Sequence, residues 1–92
     1  MNILVYIVKE YQKEITYQDV VELEYNISNR HSLLTKVMKE DLKLIMEAIK
    51  KKIKMSYFRN LLLENYLLEL LLEKDDEGLA EFLDNVAWNF EL

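Results

Sequence analysis

Residues 15–28 read Ile15-Thr16-Tyr17-Gln18-Asp19-Val20-Val21-Glu22-Leu23-Glu24-Tyr25-Asn26-Ile27-Ser28, and the choice between two folds hangs on them. From Val21 to Ile27 apolar and polar residues alternate without a break, the period of a strand with one buried face. The same stretch also opens as a helix would. Thr16 is a good N-cap, and Asp19 stands three residues on, where a capping box has its acid, although Glu or Gln is the usual partner. The alternation favours strand, and strand is the reading adopted. Ile15-Thr16-Tyr17 starts this strand or forms its own, and Gln12-Lys13-Glu14 makes the preceding turn, without the Gly or Asn that a tight hairpin prefers. Ile3-Leu4-Val5-Tyr6-Ile7-Val8 is a further β-forming run.

Composition leans the same way. Ile, Val and Thr supply 9 of the first 28 residues and 6 of the last 64, while Leu supplies 2 and then 15. β-Branched residues suit a pleated, half-buried surface, and Leu is a good helix former. The expected fold is therefore α+β. An N-terminal β-hairpin or meander over residues 1–28 packs on two or three C-terminal helices in residues 32–92, all in one domain spanning 1–92. If residues 15–28 are helical, the alternative is an all-α four-helix bundle.

Beyond Ser32 the period becomes helical. Leu34, Val37, Met38, Leu42, Ile45, Ile49 and Ile53 recur at spacings of three and four, and lysines take the opposite side. This predicts an amphipathic helix of about 22 residues with Ser32 as its N-cap and His31 in the loop before it. Ser56 caps a next helix, running from Tyr57 to about Lys74. Its leucines nearly encircle it, leaving a narrow polar stripe of Asn65, Glu69 and Glu73 with Glu64 beside it. A helix apolar on most sides must be covered on most sides, so it is the central helix or part of a dimer interface. Asp75 or Asp76 caps a last helix, from about Glu77 to Phe90, with Leu79, Phe82, Leu83, Val86 and Phe90 as its buried stripe. The six tyrosines are mostly assigned to the core.

The counts exclude much chemistry. With 92 residues, no Cys, one His and one Gly, there is no thiolate nucleophile, no usual zinc ligand set and no phosphate-cradling glycine loop. Three serines flank or follow the single histidine without triad geometry, and Asp75-Asp76-Glu77 lacks the spacing of a calcium loop. No catalytic activity, cofactor or metal is expected. The opening eight residues carry no basic n-region, and the apolar run of residues 61–72 is broken by Glu64, Asn65 and Glu69. A cytoplasmic protein that does not enter a membrane is expected. Residues 18–28 resemble the first helix and turn of a helix-turn-helix, but Glu22 and Ser32 fall on its two packing positions, so no family is assigned.

Charge is segregated. The net charge of −5 divides into −3 for residues 1–28, +6 for 29–59 and −8 for 60–92. Lys36, Lys39, Lys43, Lys50 and Lys54 form a candidate basic face that would track a phosphate backbone. Glu69, Glu73, Asp75, Asp76, Glu77, Glu81 and Asp84 form a candidate acidic face. Phe, Tyr, Met, Ile, Asn and Lys total 37 residues against 6 for Gly, Ala, Arg and Pro, a bias of AT-rich genes such as those of low-GC bacteria, phages and plasmids. The expected function is a small non-enzymatic protein-binding module, a phage- or plasmid-type inhibitor or regulator whose partner is a host protein or a second copy of itself. The alternatives are a nucleic-acid-binding regulator using the basic face and a self-associating structural subunit.

Overall fold

Thr16 decides the N-terminal reading. Its hydroxyl accepts a hydrogen bond from the Asp19 N–H at 3.2 Å, and its own N–H donates to the Asp19 carboxylate at 3.0 Å. That closed capping box starts a helix, α1, at Tyr17–His31. The structure is a computed structural model describing residues 15–90, with side chains placed through residue 86. After α1 come α2 at Lys36–Lys52, α3 at Tyr57–Leu72 and α4 at Asp76–Phe90. Among the described residues there is no strand.

The α+β expectation is thus corrected to the all-α alternative. The expected strand at residues 3–8 and the turn at 12–14 lie outside the described residues. In residues 15–28 the alternation is a coincidence of two helical stripes. Val20, Leu23 and Ile27 fall on the core side at spacings of three and four, and Ile27 is buried. Tyr17, Val21 and Tyr25 fall on the outer side, 84%, 36% and 66% exposed. Every second residue is apolar because each helix face contributes in turn. The helix also runs straight through Asn26 to His31, so the turn that a helix-turn-helix would place there does not exist.

The second helix starts later than its periodicity suggested. Ser32 is the C-terminal cap of α1, its hydroxyl donating to the Asn29 carbonyl at 2.6 Å, and His31 ends α1 rather than sitting in a loop. Thr35 takes the N-cap role, accepting from the Met38 N–H at 3.2 Å. Leu34, buried in the short connection, replaces a turn of helix with a core contact. Ser56 caps α3 as expected, accepting from the Arg59 N–H at 3.2 Å.

Helix α3 is the centre of the fold. Leu61, Leu63, Leu67, Leu68, Leu70 and Leu71 are buried along it, and α1, α2 and α4 each pack against it, α1 most extensively. The buried residues of all four helices form one cluster. Helix α2 contributes Leu42, Met46 and Ile49, and α4 contributes Phe82 and Val86. Phe82 meets Tyr66 of α3 with ring centroids 5.5 Å apart and planes tilted by 53°. Two residues of the polar stripe of α3 meet Arg30. One nitrogen of the Arg30 guanidinium donates to Asn65 Oδ1 at 2.6 Å and Glu69 Oε1 at 3.0 Å.

The corner between α3 and α4 is a Schellman motif. The Lys74 N–H donates to the Leu71 carbonyl at 3.2 Å and the Asp75 N–H to the Leu70 carbonyl at 3.0 Å. The motif needs a left-handed residue, and Lys74 supplies it at φ 54°. A side chain there costs about 1 kcal/mol relative to glycine. Lys74→Gly is expected to raise the Tm by about 4–8 °C, read by thermal unfolding. Asp75 then caps α4, its Oδ1 accepting from the Gly78 N–H at 2.9 Å. A Cβ on Gly78 would collide with that carboxylate, so glycine at this position keeps the cap in place.

The capping box of α1 makes a pH prediction. The Thr16 backbone N–H, and then its side chain, hold the Asp19 carboxyl below its ordinary value of 3.8. A lowered folded-state value stabilises the fold above about pH 4 and loses that contribution as pH falls through it. The Tm of Asp19→Ala is therefore expected below that of the unaltered chain at pH 7, with the gap closing below pH 3.

Candidate functional site

The lysines of α2 recur at steps of three, four and seven, so Lys36, Lys39, Lys43 and Lys50 share one side of the helix over about 21 Å. All four are exposed, and none forms an ion pair among the described residues. Lys54 does not join them. The helix ends at Lys52, and Lys54 lies in the connection to α3.

Three of these lysines line a cleft of about 430 Å³ between α2, the end of α1 and α3. Lys39, Lys43 and Lys50 stand on its α2 wall, and His31 closes it from α1. Leu42 and Met46, which belong to the core, supply its apolar floor. Two carboxylates, Glu47 and Glu64, share the lining. The cleft is thus amphipathic, with lysines in modest excess over acids.

A second cleft of about 430 Å³ adjoins the first through the shared residues His31 and Glu64. Glu24 of α1 and Tyr57 of α3 bound it, and the Tyr57 hydroxyl donates to Glu24 Oε2 at 2.8 Å. That bond holds the proton on the phenol and pushes Tyr57 above its ordinary value of 10.0. The bond ties the start of α3 to the middle of α1.

The candidate acidic face divides by task. Glu69 belongs to the Arg30 contact, Glu73 is the C-cap of α3, and Asp75 caps α4. Asp76 and Glu77 lie in the first turn of α4, where acids complement the helix dipole. Glu77, Glu81 and Asp84 are exposed on the side of α4 turned away from Phe82 and Val86. Nearby, Tyr66 is pushed above 10.0 by burial first and then by Asp75, Glu81 and Glu69, so this corner carries a concentrated negative field.

The four described tyrosines depart from the core assignment, while Tyr6 and Tyr11 lie outside the described residues. Tyr17, Tyr25 and Tyr57 are 84%, 66% and 62% exposed, and Tyr66 is half-buried. The contact of Arg30 with Asn65 and Glu69, and the place of His31 at the junction of both clefts, escaped the sequence reading. Each joins residues more than thirty positions apart, and no local spacing announces such a meeting.

Among the described residues no group of His, Asp or Glu could hold a metal ion, and no helix is long and apolar enough to cross a membrane. No protein-family model matches the chain, and no curated protein or solved structure is significantly similar to it.

Proposed function

We propose that this chain is a non-catalytic protein-binding module that holds an acidic, amphipathic segment of its partner along the lysine side of α2. The observation that carries this reading is the cleft itself: Lys39, Lys43 and Lys50, unpaired within the described chain, stand over the apolar floor of Leu42 and Met46. Such a surface offers cations to acids and apolar area to side chains between them. Charge complementarity of this kind sets orientation and association rate more than affinity.

A second reading, a nucleic-acid regulator, is favoured by the four-lysine stripe. Glu47 and Glu64 weigh against it, because an unbroken phosphate backbone would meet both, whereas an amphipathic segment can set apolar side chains opposite them. The net charge of −5 adds long-range repulsion.

The test uses a fluorescent acidic helical peptide with Glu at i, i+4 and i+7 and Leu between, alongside a 20-base-pair DNA duplex. The peptide is expected to bind, and Lys43→Glu with Lys50→Glu to weaken it at least tenfold. Both lysines are exposed, so circular dichroism should be unchanged. Duplex binding that falls steeply with salt, without peptide binding, overturns the reading and installs the second.

A further inference from the structure

We propose that the occupant of the lysine stripe is the acidic outer side of α4 from a second copy of this chain. The inference rests on the preceding reading, that the stripe takes an acidic protein segment, and it names that segment.

Spacing is the first argument. Lys36, Lys39 and Lys43 advance by three and then four residues. Glu77, Glu81 and Asp84 advance by four and then three. Laid antiparallel, the two series coincide: Lys36 meets Asp84, Lys39 meets Glu81 and Lys43 meets Glu77. Each series spans seven steps, about 10.5 Å of helix, so no stretching or register slip is needed.

Unmet charge is the second argument. All six side chains are exposed, and none has an ion-pair partner among the described residues. Both helices pack against α3, and no ion pair among the described residues joins these two faces. Of the +6 of residues 29–59 and the −8 of residues 60–92, the Arg30–Glu69 pair joins one charge of each within the chain, and these six side chains stay outside it.

Exposed pairs are individually weak and screened by salt, so the contact is concentration-dependent and salt-sensitive. Sedimentation velocity of the full chain at 20–500 µM is the experiment. At 20 mM salt the average mass is expected to rise with concentration, and at 300 mM the association constant to fall at least tenfold. Lys39→Glu with Lys43→Glu should give a monomer, as should Glu77→Lys with Glu81→Lys. Mixing the two double variants should restore association, because each retains the face the other has lost. If a reversal unfolds the chain, the neutral pairs Lys39→Gln with Lys43→Gln and Glu77→Gln with Glu81→Gln give the same readout.

A monomer at 500 µM in low salt overturns the proposal. So does association that ignores salt, or survives both reversals. If the unaltered chain stays monomeric yet binds the acidic helical peptide, this inference fails and the binding-module reading stands. If it binds neither itself nor the peptide, both fail.

Discussion

Leu67→Ala is expected to remove about 2–5 kcal/mol of folding stability, the range for truncating a large buried side chain. Leu67 has no exposed surface and sits mid-way along the helix that every other helix packs against. Deleting its isobutyl group loses burial and leaves a cavity in the shared core cluster. Folding free energies of domains are about 5–15 kcal/mol, so the loss consumes a large share. Urea unfolding is the measurement, with a lowered midpoint at unchanged slope expected. A loss under 0.5 kcal/mol would mean that the core is not organised around α3.

Phe82→Ala is the second large effect, and its character differs. Phe82 is 1% exposed and, with Val86, anchors α4, whose main contact is with α3 alone. Truncating an aromatic of this kind costs about 3–5 kcal/mol. Because α4 packs mainly against one helix, and less extensively than α1 does, the loss is expected to appear first as local opening. Hydrogen exchange should accelerate in α4 well before it does in α1. Equal acceleration in both helices would show the four helices unfolding as one unit.

How much of this was legible in the sequence depends on where the deciding contacts lie. The caps at Ser56 and Asp75, the encircling leucines of α3 and the lysine side of α2 are all local patterns, and each appears where the spacing put it. Residues 15–28 were misread because their alternation satisfied the strand period while the capping box satisfied the helix. The capping box starts the helix locally, and contacts more than thirty residues away add to it, where α3 brings Asn65 and Glu69 to Arg30 and packs against α1. The delayed start of α2 has a similar cause. Leu34 is drawn into the core, and that displaces the cap from Ser32 to Thr35. The lysines of the candidate site could be named from spacing, but the cleft could not. Its walls come from three helices that the sequence does not place side by side.

The hub position of α3 also has a consequence for synthesis. A ribosome makes this chain from its N-terminus, so α1 and α2 are complete before the leucines that will cover them exist. Twenty residues separate the end of α2 at Lys52 from the end of α3 at Leu72. At about 5–20 residues per second the delay is about 1–4 s, long compared with helix formation. Throughout it, Leu23, Ile27, Leu42, Met46 and Ile49 have no α3 to pack on. The nascent chain passes through a stage in which these apolar side chains lack their native cover. Leu61 to Leu71 close that stage as they emerge.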